Sequence, residues 1–172
     1  FQIVGKIKES LCFVALDYEA TAADAAASTT HEKTYELPDA STIKINAPRF
    51  KGPEGLFKPD LIKEGSEDKG MVELATESIN ECDLDIRLEL YGNVTLSGGS
   101  TLYEGLPDRL EKELQAVCHK SDAVNIIAPP DRYYSVWTGG STLCSLATFE
   151  SQWITKDEYD DHGAEIVHRK CQ

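Results

Sequence analysis

The residues best suited to chemistry lie in the stretch NVTLSGGSTLY, residues 93–103. We expect a short buried strand, a turn at Gly98 and Gly99, and the start of a helix that runs to about Val117. Backbone N–H groups at the start of a helix have no partner within it, and the helix dipole adds partial positive charge there. Because glycine has no Cβ, a ligand can approach this backbone closely. The junction is a candidate nucleotide-binding site, and the alternative interpretation is a tight turn without a ligand.

Other patterns that commonly carry catalysis or bind metals do not occur in the sequence. The five cysteines are scattered and never form C-x-x-C, which argues against a disulfide framework and a zinc site and favours a reducing compartment. Each of the four histidines stands apart from a second candidate ligand, so we interpret them as surface residues. There is no G-x-x-x-x-G-K-[ST] loop, no H-E-x-x-H pair and no Ser/His/Asp arrangement.

A stripe of apolar side chains predicts the first element, a helix over residues 3–18. The stripe consists of Ile3, Ile7, Leu11, Val14 and Tyr18. Lys8 and Glu9 project away from it, and taken alone they are interpreted as a solvated flank. Residues 19–33 are rich in Ala, Thr and Ser, and they either extend the helix raggedly or form a mobile connection.

A hairpin is predicted next. The runs KTYEL and STIKIN are β-prone and alternate, and Pro38, Asp39 and Ala40 join them in a turn. Residues 49–59 contain Gly and Pro breakers and are interpreted as a surface connection around buried Phe50 and Phe57. A polar loop at 61–70 and short helices at 72–81 and 83–90 follow.

The candidate junction belongs to a predicted β-α-β unit. Pro107 suggests a break at Gly105, with a second helix starting just after it. Residues 124–128 are a second apolar run that Pro129 and Pro130 stop, so a second strand is expected there.

A second Gly-Gly pair lies within the apolar residues 134–149, where small residues predict close packing of a helix on a sheet rather than ligand binding. A helical turn at 156–160 and a last short helix at 165–170 complete the prediction.

Composition narrows the class of partner. The 172 residues are 41% hydrophobic and 27% charged, and 17 basic against 30 acidic residues give a net charge of −13. Such a surface repels a nucleic-acid backbone, so nucleic-acid binding is disfavoured. No apolar run approaches the roughly 18 residues of a membrane span. The chain starts inside a helical pattern without Met or a capping residue, so we expect a piece of a longer protein. The scattered cysteines favour a location in the cytosol or the nucleus.

Six blocks of residues resemble actin in sequence and in order, and nearly the whole chain is covered. The blocks are IKESLCFVALDYE (7–19), KTYELPD (33–39), CDLDIR (82–87), LSGGSTLYEGLPDRLEKEL (96–114), IIAPPDRYYSVWTGGS (126–141) and YDDHGAEIVHRKC (159–171). The resemblance implies roughly the C-terminal half of a divergent actin, with an α/β, actin-like ATPase (ribonuclease H-like) fold. It also implies a cytoplasmic, cytoskeletal location.

The resemblance implies three segments of a partial fold. Residues 1–65 would be mostly the outer subdomain of the larger lobe, a helix plus hairpin. Residues 66–134 would be the inner α/β subdomain of that lobe with the Gly-Gly loop. Residues 135–172 would be a C-terminal helical segment that returns to the smaller lobe.

Actins hold ATP or ADP with Mg²⁺ or Ca²⁺ in a cleft between lobes, and the resemblance assigns part of that cleft to this chain. The implied nucleotide-binding residues are Lys8, Glu9, Gly98, Gly99, Leu102, Tyr103 and Tyr133. Tyr133 stands where actins usually carry a lysine beside the adenine, so stacking would replace a cation. The cation site and the groups that act on phosphate would lie mostly in a first half outside this chain, so no catalytic or metal-binding residue is expected here and the chain alone should not hydrolyse ATP.

The resemblance also implies protein partners, namely other actin subunits and actin-binding proteins. The groove that such proteins use would include Leu143, Leu146, Thr148 and Gln152, and Gln152 replaces a methionine. Filament contacts would include Pro38, Asp39, Leu61, Ile62, Lys63, Glu64, Asp83, Asp85 and Arg87. The loop at 61–70 matches an apolar plug but is charged and about two residues longer, which predicts weaker or altered filament contacts.

Three functions remain open at this point. The first is a filament-forming, ATP-binding cytoskeletal subunit, and the second is a non-polymerising actin-related subunit that acts as a binding module in a larger assembly. The third is another ATPase of the same two-lobe architecture, which would require the ELPD, APPDR and VHRKC blocks to be coincidence.

Overall fold

The computed structural model describes residues 2–120 and 123–171. The chain divides into two units, unit 1 up to Tyr133 and unit 2 from Tyr134. Both helices and short strands are present, as the mixed α/β prediction requires. Among the described residues, no helix is both long enough and apolar enough to span a membrane.

The first helix is shorter than predicted. α1 spans Gln2–Leu11 and does not continue to Tyr18. Val14 lies in extended backbone instead, because Phe13 forms a parallel β-bridge with Glu104 and the Val14 N–H donates to the Glu104 carbonyl at 2.8 Å. Helical spacing alone could not reveal this pairing with a distant segment. The ragged stretch that follows is a separate helix, α2 (Tyr18–Ala27), whose start the side chain of Asp17 caps.

The predicted hairpin is confirmed. β1 (Lys33–Glu36) and β2 (Thr42–Ile45) pair antiparallel, with Lys33 opposite Ile45 and Glu36 opposite Thr42. The Asp39 carboxylate accepts hydrogen bonds from the Ser41 N–H (3.0 Å) and hydroxyl (2.6 Å), which closes the turn.

The predicted surface connection at 49–59 is in large part helical. α3 spans Pro48–Glu54, with a proline in its first turn and Pro53 inside it. Phe50 and Phe57 are buried as expected. Glu54 is fully buried as well, which was not predicted.

The β-α-β unit is confirmed. β3 (Val94–Thr95) pairs in parallel with β4 (Ile126–Ile127), and the helix α6 (Leu106–Val117) crosses between them. Gly105 adopts a left-handed conformation (φ 80°) just before α6, which confirms the predicted break. The residues between Gly98 and this break form one 3₁₀ turn (Gly99–Leu102), so the helix after the Gly-Gly turn is not continuous.

The core of unit 1 lies around α6. Leu106, Leu110 and Leu114 recur every four residues and are buried, because this spacing places them on one helix face. α4 (Met71–Asn80) and α5 (Arg87–Tyr91) also contribute to the core. Its buried residues are Val14, Phe57, Ile79, Tyr91, Leu96, Leu106, Leu110, Leu114, Cys118 and Val124.

The described part of unit 2 contains the α-helices α7 (Ser135–Cys144), α8 (Lys156–His162) and α9 (Val167–Lys170), with 3₁₀ turns at Ala147–Gln152 and Gly163–Ile166. Thr155 and Glu158 form a capping box at the start of α8, and Lys170 of α9 donates to the Glu158 carboxylate at 2.8 Å. The predicted close packing of the second Gly-Gly pair is wrong: among the described residues, a Cβ built on Gly139 or Gly140 meets only open space.

Candidate nucleotide site

A cleft of about 870 Å³ in unit 1 brings together two segments that are about 90 residues apart in the chain. One wall is the C-terminal half of α1, and the other is the Gly-Gly loop, which we define as residues 97–104. The lining residues are Lys8, Glu9, Ser10, Cys12, Gly99, Ser100, Leu102, Tyr103, Glu104 and Tyr133. Six of the seven residues expected at a nucleotide site are in this set, and Gly98 adjoins it without lining it.

The α1 wall presents polar side chains to the cleft. Lys8 and Glu9 are both exposed, as the solvated-flank interpretation requires, and both also line the cleft. The residues of α1 are all exposed or half-buried, so the helix presents its polar face freely. Its last turn continues directly into Cys12, whose N–H donates to the Lys8 carbonyl at 3.2 Å.

The Gly-Gly loop owes its shape to Gly98 and Arg132. Gly98 has φ 88°, a conformation that favours glycine, and its N–H donates to the Arg132 carbonyl at 2.9 Å. The Arg132 guanidinium donates to the Thr101 carbonyl (2.9 Å), the Thr101 hydroxyl (3.0 Å) and the Pro129 carbonyl (2.9 Å). Sequence reasoning missed this role of Arg132, although the residue follows the proline pair that ends β4.

Two tyrosines give the cleft its flat apolar surface. The Tyr133 ring covers Gly99 so closely that a Cβ on Gly99 would lie 3.0 Å from the ring. Tyr133 is itself 57% exposed. Burial raises the pKa of Tyr103, and the nearby Cys12 and Glu9 raise it further, so its hydroxyl stays neutral at physiological pH.

The charges on the cleft do not form an anion site. Burial raises the pKa of Cys12 against the opposing charges of Arg49 and Lys8, so the thiol stays protonated at neutral pH. The charged lining residues are therefore one cation, Lys8, and two carboxylates, Glu9 and Glu104. Such a balance suits a neutral ligand with hydroxyl groups and a flat ring better than a polyphosphate.

The two walls meet along a seam, which we define as residues 13–16 against residues 104–112. The Phe13–Glu104 bridge lies at one end, and the Lys112 ammonium donates to the Leu16 carbonyl at 3.0 Å at the other. Within the seam, Gly105 lies so close to Val14 that a Cβ on Gly105 would be 2.4 Å from the Val14 carbonyl oxygen. The seam begins two residues after α1 and one residue after Tyr103, so it links both walls directly.

A buried ion pair joins the seam to α3. Arg109 of α6 is 5% exposed, and it donates to both carboxylate oxygens of Glu54, at 2.9 and 3.3 Å. The same guanidinium donates to the Ala15 carbonyl at 2.6 Å and to the Glu113 carboxylate, and it lies over the Phe57 ring. Burial raises the pKa of Glu54, and the charge of Arg109 opposes that shift. Nothing in the sequence distinguished Arg109 from the other residues of an amphipathic helix.

The residues expected at the partner groove lie together in unit 2. Leu143 is at the end of α7, and the others lie in or just before the 3₁₀ turn Ala147–Gln152. All four side chains, those of Leu143, Leu146, Thr148 and Gln152, are exposed.

The residues expected at filament contacts are mostly exposed, but they lie in separate parts of unit 1. Pro38 and Asp39 are at the hairpin turn, Leu61 to Glu64 follow α3, and Asp83 and Asp85 precede α5. Arg87 has a local role, because its guanidinium donates to the carbonyls of Asn80 (2.6 Å) and Cys82 (2.9 Å) at the end of α4.

The comparison with known families agrees with the sequence blocks. The family model described as Actin matches residues 1–172, the whole chain. Within the described ranges, no group of three or more His, Cys, Asp or Glu side chains is arranged to hold a metal ion.

Proposed function

This chain belongs to the actin family, and we propose that unit 1 binds the adenosine part of ATP or ADP in the cleft between α1 and the Gly-Gly loop. Family members generally bind these nucleotides with a divalent cation. The observation that carries the proposal is that Lys8 and Glu9 line the same cleft as Gly99, Leu102, Tyr103 and Tyr133.

Each wall would supply a different kind of contact. The Glu9 carboxylate is an acceptor for ribose hydroxyl groups, and such charge-assisted hydrogen bonds are strong. Leu102, Tyr103 and Tyr133 offer flat apolar area to the base. Tyr133 would stack on the base where most actins place a lysine.

We assign the phosphates and the Mg²⁺ or Ca²⁺ ion to residues outside this chain. Lys8 shares the cleft lining with the carboxylates of Glu9 and Glu104, so the lining carries no excess of positive charge for a phosphate. The domain assignment follows the same proposal: residues 1–65 and 66–134 are the outer and inner subdomains of the larger lobe, and 135–172 is the C-terminal segment of the smaller one.

The test is the affinity for Mg-ATP of the protein at its natural full length, measured by titration calorimetry. Glu9→Gln should raise the Kd about tenfold or more, because a hydrogen bond to a charged group is lost. Lys6→Met is the matched control, since Lys6 is exposed on α1 and does not line this cleft. Equal Kd values for the two variants, or a wild-type protein that does not bind, would contradict the proposal.

We further propose that the protein assembles with other actin subunits into cytoplasmic, cytoskeletal filaments and binds actin-binding proteins through the groove at Leu143–Gln152. The exposed Lys63 and Glu64 would weaken filament contacts, since burying them at an interface costs desolvation energy. Co-sedimentation in Mg-ATP should show assembly at a higher protein concentration than for Lys63→Leu/Glu64→Val.

A second candidate function is a non-polymerising subunit of a larger complex. Exposed Lys63, Glu64 and Gln152 favour it, because charged and polar side chains stand where the family has apolar ones. A protein that stays in the supernatant at all salt concentrations, and that purifies from cells in a fixed stoichiometric complex, would support this function over the first.

A further inference from the structure

We propose that Arg109 and Glu54 are positioning residues for the cleft, which hold its two walls in the geometry that fits adenosine. The inference rests on the proposed nucleotide site. Neither side chain lines the cleft, and both are almost completely buried behind it. They act through the backbone of the seam.

The guanidinium of Arg109 connects three elements at one point. It donates to the Ala15 carbonyl in the seam at 2.6 Å and to the Glu54 carboxylate of α3 at 2.9 Å. Arg109 itself is a residue of α6. α6 begins three residues after Tyr103, and Ala15 follows α1 by four residues. A shift of the guanidinium would therefore move the Lys8–Glu9 wall relative to the Gly-Gly loop.

An ion pair makes hydrogen bonds at fixed angles, and an apolar pair of similar size does not. Replacing a buried ion pair by apolar side chains often leaves stability unchanged or improves it, because two charges no longer need to be desolvated. The planar guanidinium, in contrast, fixes the Glu54 carboxylate and the Ala15 carbonyl at set angles. The pair is thus expected to matter more for the geometry of the walls than for the free energy of unfolding.

The double variant Glu54→Leu/Arg109→Met separates these two roles. Methionine keeps an unbranched stem over the Phe57 ring, and leucine fills the apolar space around residue 54. The variant should fold, with a midpoint modestly below that of the wild type because the buried Ala15 carbonyl loses its donor. Its Kd for etheno-ATP should rise about tenfold, as expected when one strong hydrogen bond is misaligned. At saturating etheno-ATP, acrylamide should quench the bound base more than in the wild-type protein.

Two further variants keep the test decisive. Arg109→Lys retains a charge and a stem but cannot reach Glu54 and Ala15 with fixed donors, so its Kd should also rise, even if the double variant does not fold. Glu113→Gln is the matched control, because the Glu113–Arg109 ion pair lies within α6 and so does not join Arg109 to α3 or to Ala15.

The outcomes distinguish this inference from the proposed function. A wild-type protein that does not bind etheno-ATP overturns the proposed function. A wild-type protein that binds, with folded Arg109→Lys or double variants of unchanged Kd and unchanged quenching, overturns the positioning role alone. A Kd that rises as much in Glu113→Gln as in Arg109→Lys also overturns it.

Discussion

Gly105→Ala is the substitution that most directly tests the seam between the two walls. Gly105 has φ 80°, a left-handed conformation that a residue with a Cβ adopts only with strain. The added methyl group would also lie 2.4 Å from the Val14 carbonyl oxygen, and that oxygen belongs to backbone that cannot rotate away. If residue 105 keeps this conformation, Val14 must move.

The expected loss in the free energy of unfolding is the sum of these two effects. The left-handed conformation costs about 1–2 kcal/mol for a residue with a Cβ. Moving Val14 away stretches its 2.8 Å hydrogen bond to Glu104, and losing such a bond costs about 0.5–1.5 kcal/mol. Gly105→Ala should therefore lower the free energy of unfolding by about 1.5–3.5 kcal/mol.

Gly52→Ala provides a matched control with the opposite sign. Gly52 lies in α3, and among the described residues a methyl group there meets only open space. Alanine at a helical position stabilises by about 0.4–1 kcal/mol, because it restricts the unfolded chain. Urea unfolding followed by circular dichroism measures both variants. The reasoning is refuted if Gly105→Ala is as stable as the wild type, or if both variants lose the same stability.

Two further substitutions test the core of unit 1 and the end of unit 2. Leu114→Ala empties a fully buried site on α6 and should cost about 2–5 kcal/mol. Val117→Ala on the same helix, where the side chain is 47% exposed, should cost much less in the same urea titration. In unit 2, hydrogen bonds from Lys170 and the Thr155 N–H lower the pKa of Glu158 from 4.5 to about 2. A carboxylate with a lowered pKa stabilises the fold above its unfolded pKa, so this stability should be lost as the pH falls from about 4.5 to 2. A ¹³C NMR titration should place the Glu158 midpoint near 2 and show it rising in Lys170→Met; an unchanged midpoint would contradict the ion pair.

Local sequence signals predicted the elements that local chemistry determines. Pro38 and Asp39 predicted the hairpin turn, because a fixed φ and a side-chain acceptor act within four residues. The break at Gly105 followed from the glycine and the proline two residues later. Gly98 was correctly assigned to a turn, and it has the positive φ that glycine permits.

Distant contacts explain what the sequence did not predict. The helical spacing of Val14 and Tyr18 continues that of α1, but pairing with Glu104 extends the backbone there. A charged Glu54 is expected on a surface, and its ion pair with Arg109, 55 residues later, makes its burial possible. The chemical character of the cleft was hidden for the same reason, since Glu9 and Glu104 share its lining only in the folded chain.

The long sequence separations across the seam affect when its contacts form during folding and how fast they are lost on unfolding. Arg109 follows Ala15 by 94 residues, and Lys112 follows Leu16 by 96. Closing loops of that size costs entropy before the contacts compensate for it, so we expect these bonds to form late in folding. Interactions that are absent from the folding transition state act mainly on the unfolding rate. The seam would then have little effect on how fast unit 1 folds, and it would set how long an assembled cleft persists before it opens.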